Sequence, residues 1–449
     1  MKKQFLVYFF GLQLSTSALA ANLPPEILAS AAQRVEYGLN PALAIVYLEK
    51  GQPPVIQTWG RRNLSPQSET ITAQTSFELG SLSKLFTALE AAVLIEQKKL
   101  SPEQNLKSFW PSDWGVLPAS LGNISLQSLL AHRSGLPRLP DNFAPANPDD
   151  PYQDYSRQKL LQFLSGFAPD KTPAAYSYSN LAYGLLGALE AALSGSANYN
   201  TLLSRDLFSP LGMKSTGTAA PVSPHFLAQP HFDGLAVPAW TFSEETAGAG
   251  ALRSNAEDMA RFLQAQLDPP PTLLGKAIQR SQMRLPGEDK PHVAYAWHII
   301  DYKGRTLHFH NGQTGGSLSF IGLDLKQGKG AVVLTNNTDA VEDLGLRLLN
   351  PDSPLRKITD LRRPTATLEN YSGQYQLAPG MVFTITQAAG YLQAQLTGQP
   401  ALRIFPTDKA HQFKYQAVEA ALTFQSDDKG KITGLNLEQN GQTHWAGRI

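Results

Sequence analysis

The sequence contains no cysteine, and this absence excludes several kinds of chemistry. Without thiols there are no disulfides, no thiol nucleophile and no cysteine-ligated zinc site. An excess of either charge is also missing, because 38 Lys and Arg stand against 37 Asp and Glu. We therefore expect no nucleic acid or other polyanion as a partner, and a fold stabilised by core packing alone.

Long hydrophobic runs are missing after the first 20 residues. The start combines Lys2 and Lys3 with an apolar run over 5–14 and small residues up to Ala20, a pattern typical of a secretory signal peptide. The apolar run is too short to span a bilayer, and no later segment has 18 unbroken apolar residues. We predict a signal peptide at 1–20, a periplasmic protein and no stable membrane insertion.

The predicted elements change along the 449 residues, which exceed what one hydrophobic core usually holds. Two early β runs, a largely helical stretch over about 100–270 and further β runs after 290 predict an α/β (α+β) domain. Its antiparallel sheet is closed by early and late segments and flanked by helices, with a separate all-helical lobe. Short β runs near the end predict a small all-β barrel or sandwich. The predicted order is signal peptide 1–20, first domain 21–350, linker 351–366 and β-barrel domain 367–449.

Ser81 and Lys84 lie three residues apart in FELGSLSK, at the start of a predicted helix. Residues three apart share a helix face, with Cβ atoms about 5–6 Å apart. A lysine in an apolar helix is desolvated and loses its proton more readily, so it can activate a neighbouring hydroxyl. The same spacing also arises by chance, and an ordinary helix start is the alternative.

Tyr178 and Asn180 lie two residues apart in AYSYSN, directly before another predicted helix. An extended stretch places them on one side. A tyrosine beside a cationic lysine can have a lowered pKa and act as a general base, and an asparagine side chain can bind a substrate amide. The alternative is that Asn180 caps the helix while the tyrosines pack the loop.

His308 and His310 would share one face of a strand in HFHNGQTGG. A zinc hydrolase needs at least three ligands, and the sequence offers no third His or carboxylate at a matching spacing nearby, so we predict no metal and no other cofactor. The glycines that follow allow a substrate backbone to pair with the strand edge. A plain β-hairpin with a glycine-rich turn is the alternative.

Taken in order, these segments resemble the serine β-lactamase and penicillin-binding-protein superfamily, in its class C-like branch. FELGSLSK is similar to the Ser-x-x-Lys segment of that branch, YSN to its Tyr-x-Asn and HNGQTGG to its Lys-Thr-Gly segment. LLAHRSGLP and GAGALRSNAEDMARFL also look familial, and the resemblance covers about residues 25–345. The C-terminal part resembles the lipocalin-like β domains appended to some members.

The resemblance implies roles for individual residues. Ser81 would be the acylated nucleophile, Lys84 its proton partner and Tyr178 the general base or proton shuttle. Asn180 would hold the substrate amide, and the backbone N–H groups of Ser81 and Gln313 would form the oxyanion hole. The implied substrate-binding residues are Asn180, His310, Asn311, Gly312, Gln313 and Thr314.

Two positions depart from the family pattern, since His310 replaces its lysine and Asn311 its threonine. His310 could still present a positive or donating group to a substrate carboxylate, depending on its surroundings. Both changes argue against strong β-lactam turnover. His132 and Trp297 are interpreted as structural residues.

The sequence as a whole predicts an exported serine hydrolase that acts through an acyl-enzyme on β-lactams or D-Ala-D-Ala-type peptides. Its partner is a small molecule or a cell-wall peptide. The alternatives are an esterase on small acyl esters and a non-enzymatic binder of penicillin or cell-wall peptide. There is no Gly-x-Ser-x-Gly elbow, which disfavours an α/β-hydrolase.

Overall fold

A computed structural model describes residues 22–65, 67–218, 226–287, 290–388, 390–416 and 418–449 of the chain. The signal peptide predicted at 1–20 lies outside these ranges. Within them, every helix is too short or too polar to cross a lipid bilayer.

Helices and strands alternate irregularly before residue 350. The helices are α1 (Pro25–Glu36), α2 (Ser83–Glu96), α3 (Leu106–Phe109), α4 (Leu126–Leu130), α5 (Arg157–Gly166), α6 (Asn180–Leu193), α7 (Tyr199–Leu203), α8 (Ser209–Leu211), α9 (Glu244–Gly250), α10 (Ala256–Leu267), α11 (Leu273–Ser281) and α12 (Glu342–Leu349). The strands are β1 (Ala42–Glu49), β2 (Val55–Gly60), β3 (Ser76–Glu78), β4 (His231–Phe232), β5 (Leu235–Ala236), β6 (Arg253–Asn255), β7 (His292–Val293), β8 (His298–Tyr302), β9 (Arg305–Gln313), β10 (Leu318–Asp324) and β11 (Lys329–Thr335).

One antiparallel sheet runs in the order β2-β1-β11-β10-β9-β8-β7. Strand β1, from the start of the chain, pairs with β11, from residues almost 300 positions later, in the register Ala44↔Leu334. This confirms the prediction of a sheet closed by early and late segments. Alternate residues of β1 enter two cores, with Ile45 beside α1 and α12 and Val46 on the face that packs against α2 and α10.

Helix α2 is apolar on nearly every side and is correspondingly buried from Ser83 to Ile95. It contacts α6, α9 and α11, so it forms the centre of the helical layer. Its polar residues Lys84, Thr87 and Glu90 are buried with it, which makes each of them dependent on partners inside the protein.

From the sequence, ISLQSLLAHRSGLP is predicted to be a helix stopped by Gly135 and Pro137, and the observed helix, α4, is shorter. It ends at Leu130 rather than at Gly135, because His132 adopts a left-handed conformation with a φ of +56°. The chain then turns back toward the sheet. The sequence offers Ser254 or Asn255 as the N-cap of α10. The structure has Asn255 in that position, where its side chain accepts a hydrogen bond from Asp258 N.

The C-terminal part consists of a short helix, α13 (Thr365–Glu369), and strands alone. These are β12 (Gly373–Ala378), β13 (Met381–Ala388), β14 (Tyr391–Leu396), β15 (Leu402–Pro406), β16 (Gln412–Tyr415), β17 (Ala420–Ser426), β18 (Ile432–Gln439) and β19 (Gln442–Arg448). Strand β12 pairs with β19, so the strands form a closed barrel rather than a sandwich. Strand β12 itself was not predicted, because GQYQLA is polar and short.

The barrel docks on the first part of the chain through a buried arginine on β15. Arg403 donates its side-chain Nε to Asp233 O, its backbone N–H to the Asp233 carboxylate, and Nη1 to Gly38 O at 2.8 Å. Only 4% of the arginine side chain is exposed. A second contact joins the Tyr391 hydroxyl to Tyr37 O. The barrel is therefore attached by polar contacts that are largely shielded from water.

Candidate active site

Two glycines allow the turn that carries Ser81 to touch strand β9. Gly80 has a φ of +50°, and a Cβ there would lie 2.7 Å from Gln313 N. A Cβ on Gly312 would lie 2.1 Å from Leu79 O and 3.1 Å from Ser81 N. Only glycine fits this approach. The backbone N–H groups of Ser81 and Gln313 consequently belong to the same small region, as the predicted oxyanion hole requires.

A cavity of about 500 Å³ opens over the Ser81 hydroxyl. Its walls combine residues from all three sequence segments with residues from loops between them. The lining residues are Ser81, Arg138, Tyr152, Tyr178, Asn180, Trp240, His298, Asn311, Gly312, Gln313 and Thr314. Lys84 and His310 are absent from this lining because both are buried, with 0% and 1% of their surface exposed.

Lys84 contacts the serine directly. Its Nζ lies 3.0 Å from Ser81 Oγ, 2.9 Å from Asn180 Oδ1 and 2.7 Å from Ala249 O. Burial, helped by the charge of Arg138, lowers the pKa of Lys84 well below its ordinary value. A neutral amine has two N–H groups and one lone pair. The amide and carbonyl oxygens accept the two N–H groups, so the lone pair faces the serine hydroxyl.

Tyr178 behaves differently from the sequence-based expectation. Its pKa is raised, because burial opposes the phenolate more strongly than the hydrogen-bond contact with Ser81 favours it. The Lys84 Nζ lies 4.9 Å from the ring centre, but a desolvated amine supplies no charge to stabilise a phenolate. The His132 ring packs against the Tyr178 ring at a tilt, with ring centres 4.5 Å apart. Tyr178 is therefore a protonated phenol, able to donate rather than to accept.

Asn180 is not the cap of α6. Ser179 takes that position, because its side chain accepts a hydrogen bond from Ala182 N, and Asn180 is the first helical residue. The Asn180 side chain is thereby free to enter the site, where Oδ1 accepts from Lys84 and Nδ2 donates to the Tyr152 hydroxyl at 3.0 Å. A substrate amide would have to displace Tyr152 to reach this group.

His310 does not supply the positive charge considered from the sequence. Burial lowers its pKa well below the ordinary value, aided by neighbouring His298, whose ring centre lies 5.1 Å away. Its Nδ1 lies 2.6 Å from Asn311 O, an atom that only accepts, so Nδ1 carries the proton. In the neutral ring Nε2 is then an acceptor, and it has no hydrogen-bond partner within the described residues. The ring therefore offers a substrate carboxylate neither a charge nor a free donor.

The other predicted substrate-binding residues of the β9 segment differ in whether their side chains already have hydrogen-bond partners. Asn311 and Gln313 are exposed on β9 and line the cavity. Thr314 also lines the cavity, but its hydroxyl donates to Glu78 Oε2 at 2.9 Å, and the same oxygen accepts from Ser317 at 3.2 Å. Glu78 thus fixes the end of the strand. Burial raises the pKa of this carboxyl, against the charge of Arg253 and its hydrogen bonds.

Sequence reasoning missed four residues of the lining: Arg138, Tyr152, Trp240 and His298. Arg138 directly follows the familial segment LLAHRSGLP, which is the one signal that could have drawn attention to it. Tyr152 and Trp240 lie in loops without any period. The part of the chain that the structure describes contains no group of three His, Asp or Glu residues able to hold a metal ion.

Comparisons with known proteins agree with the geometry. Residues 31–350 match the family model described as Beta-lactamase, and residues 361–447 match one described as Domain of unknown function (DUF3471). A beta-lactamase of Escherichia coli (strain K12) is 28% identical over 275 residues, or 60% of this chain and 68% of that protein. Penicillin-binding protein 4* of Bacillus subtilis (strain 168) is 26% identical over 405 residues, or 80% of this chain and 85% of that protein.

Two further matches are a fungal hydrolase and a solved structure. The unguisins hydrolase ungD' of Aspergillus campestris (strain IBT 28561) is 27% identical over 306 residues, and the chain spans 56% of its length. A crystal structure of a class C beta lactamase from Rhodobacter sphaeroides has a TM-score of 0.60 at 23% identity, covering 72% of this chain and 96% of that chain. This structural likeness establishes a shared fold.

Proposed function

The chain belongs to the beta-lactamase family of serine hydrolases, and we propose that it is an exported enzyme that forms an acyl-enzyme on Ser81 with D-Ala-D-Ala-type peptides or β-lactams. The observation that carries the proposal is the position of Lys84. Its amine lies 3.0 Å from Ser81 Oγ, while its other two partners are oxygens that only accept. The signal-peptide pattern at 1–20 supports export.

Acylation begins with the transfer of the Ser81 proton to the neutral Lys84 amine. The serine oxygen attacks the substrate carbonyl carbon, and the C=O electron pair moves to the oxygen. The N–H groups of Ser81 and Gln313 stabilise that oxyanion. The loss of one such donor typically costs on the order of 10²–10³ in rate.

The leaving group takes its proton from Tyr178. Collapse of the tetrahedral intermediate re-forms the carbonyl and breaks the bond to the leaving nitrogen, which receives the phenol proton. Lys84, protonated in the first step, returns that proton to the phenolate, so both groups regain their resting state. Water then attacks the acyl-enzyme as the same groups act in reverse, and the carboxylic acid product leaves Ser81 with its hydroxyl restored.

Peptides are favoured over β-lactams as the natural substrate class. Neutral His310 lacks the charge that the family's lysine would supply. A relative that matches 80% of this chain is named a penicillin-binding protein. That name supports a peptide-directed role, and a penicillin would then act as a slowly released acylating agent.

A small-ester hydrolase is the second candidate. The observation that favours it is the hydrogen bond from Asn180 Nδ2 to Tyr152, which occupies the group that would otherwise hold a substrate amide. Ester cleavage needs the nucleophile and the oxyanion hole without that amide contact. A stable adduct at Ser81 without turnover would instead identify a penicillin binder.

The test combines three substrates with mass spectrometry. The mature protein is assayed with a chromogenic cephalosporin, a D-Ala-D-Ala peptide and a p-nitrophenyl ester, and intact mass locates the acyl group. Ser81→Ala should abolish turnover and adduct, whereas Ser165→Ala, on the exposed end of α5, should retain both. Equal activity of Ser81→Ala and the wild type would show that the assignment is wrong.

A further inference from the structure

Arg138 is the one cation in the walls of the cavity, among the described residues that line it. The pKa of His298 is lowered to about 4 by burial, so this lining histidine is neutral. Lys84 and His310 lie beneath the surface and are neutral for the same reason. Any anionic substituent of a bound substrate therefore finds a single positive group, and that group belongs to a loop, not to strand β9.

The backbone of Arg138 is held by hydrogen bonds, whereas its guanidinium is not. Its backbone carbonyl accepts hydrogen bonds from Asn180 N at 3.1 Å and Leu181 N at 3.2 Å, at the start of α6. The side chain is exposed, and its guanidinium carbon lies 5.3 Å from the centre of the Tyr178 ring. No hydrogen bond or ion pair with any other described residue engages the guanidinium. Its donors thus face the cavity with an aromatic surface beneath them.

We propose that Arg138 is an anion subsite that binds a carboxylate on the leaving-group side of the substrate. The side follows from Tyr178: this phenol donates the proton to the leaving group, and Arg138 lies over its ring. A guanidinium binds a carboxylate through two parallel hydrogen bonds, which fits a terminal carboxylate of a peptide. The inference rests on the proposed function and narrows its substrates to acyl compounds with an anionic leaving group.

An anion subsite at Arg138 also explains why a neutral histidine is tolerated at position 310, where the family has a lysine. With Arg138 as the anchor, the strand needs to provide only backbone contacts through Gly312 and Gln313. Asn311 supplies a neutral amide at the cavity, and its Nδ2 lies a long 3.5 Å from Glu342 Oε1. The loop that carries Arg138 would thereby recognise the charge of the substrate, and strand β9 would help to stabilise the oxyanion.

The test uses two phenyl esters that differ only in the meta substituent of the leaving phenol, a carboxylate or a carboxamide. Wild type should prefer the carboxylate in kcat/KM by about tenfold, the scale of a partly exposed charged hydrogen bond. Arg138→Gln should bring the ratio close to one, and Arg138→Lys should retain part of it. Arg284→Gln, an exposed arginine outside the cavity lining, should keep the wild-type ratio.

The outcomes separate the two proposals. A wild-type preference that survives in Arg138→Gln overturns the anion subsite, as does a wild type that cleaves both esters equally, and in both cases the hydrolase assignment stands. If wild type cleaves neither ester, the proposed function fails only when the cephalosporin and the D-Ala-D-Ala peptide are also left intact. The subsite is then judged by calorimetry with 3-hydroxybenzoate, where weaker binding to Arg138→Gln supports it and equal binding overturns it.

Discussion

The Lys84 amine and the Ser81 hydroxyl lie 3.0 Å apart on one face of the chain segment that opens α2. Lys84 is entirely buried there, and the partners described for its Nζ include no carboxylate. A buried ammonium without a counter-ion is costly, so the neutral amine is the stable form. The relationship gives Ser81 a base in the resting protein, before any substrate arrives.

Lys84 should set the acid limb of the pH profile. Its amine accepts a proton only when neutral, and burial lowers its pKa, so kcat/KM for an ester should rise with pH and reach a plateau well below pH 10.5. Lys84→Arg places a permanently charged group there and should lower kcat by on the order of 10²–10⁴. Lys99→Arg, an exposed change near the end of the same helix, should leave the profile as it was. A wild-type limb that still rises near pH 10.5 would contradict the neutral amine.

Gly312→Ala should separate the strand from the nucleophile. The new methyl would lie 2.1 Å from Leu79 O and 2.4 Å from Ser319 Oγ, so β9 must shift away from the turn at Ser81. A misplacement of about 1 Å costs on the order of 10²-fold in rate. Steady-state kinetics should show that loss in kcat. Gly166→Ala, where the added methyl meets nothing within 4 Å, is the matched control, and similar kinetics for both variants would refute the close approach.

Glu90 should make the protein lose stability as pH rises from about 4.5 to about 8. It is buried in α2, and burial together with the nearby Asp206 raises its pKa to about 8 from an ordinary 4.5. The folded state therefore holds a proton that the unfolded state has lost. The resulting stability is complete below about pH 4.5 and disappears as pH rises to about 8.

Glu90→Gln should remove the contribution of Glu90 to the pH dependence of the free energy of unfolding, because a glutamine does not titrate. The free energy of unfolding of the wild type should fall across that window by about 1.4 kcal/mol per pH unit more than that of the variant. Urea denaturation at several pH values measures the difference. Glu369→Gln changes an exposed carboxyl and should follow the wild type. Parallel curves for wild type and Glu90→Gln would rule out a proton held at Glu90.

Arg403→Ala should loosen the barrel. The variant keeps the backbone N–H bond to the Asp233 carboxylate but removes the guanidinium that pairs with it and that donates to Asp233 O and Gly38 O. Removal of one partner of a mostly buried ion pair typically costs about 3–5 kcal/mol. Denaturant unfolding should show either a lower midpoint or a separate transition for the barrel. Arg363→Ala, an exposed arginine with one contact to Arg362 O, should unfold like the wild type. A variant within about 0.5 kcal/mol of wild type would mean that other contacts hold the barrel.

The sequence identified much of the site because its residues occur in short, ordered segments. Ser81 and Lys84 lie one turn apart at the start of α2, and Tyr178 and Asn180 lie at the start of α6, so local periodicity predicts that the members of each pair lie close together. The closed antiparallel sheet followed from β runs at both ends of the first domain. These features depend on residues that are close in sequence, so local sequence patterns predict them.

The remaining features depend on neighbours in space. The raised pKa of Tyr178 and the neutral state of His310 result from burial by other segments, which no local pattern reports. Arg138 and Tyr152 come from loops whose course is fixed by distant contacts. The cap of α6 shows that even neighbouring residues cannot always be assigned from the sequence. Both Ser179 and Asn180 are good N-caps, and the contact of Asn180 with Lys84 decides that Ser179 takes the position.

The pairing of β1 with β11 sets an order of events for a chain that emerges from the ribosome. Strand β11 joins Leu43 on one side, through Thr335, to β10 on the other. The sheet therefore lacks its middle until residue 335 has been synthesised, and such distant pairings form slowly. A nascent chain that stops before β9, at residue 305, carries Ser81 and Lys84 without the strand that forms one wall of the cavity, so it has the chemical groups of a hydrolase but no place for a substrate.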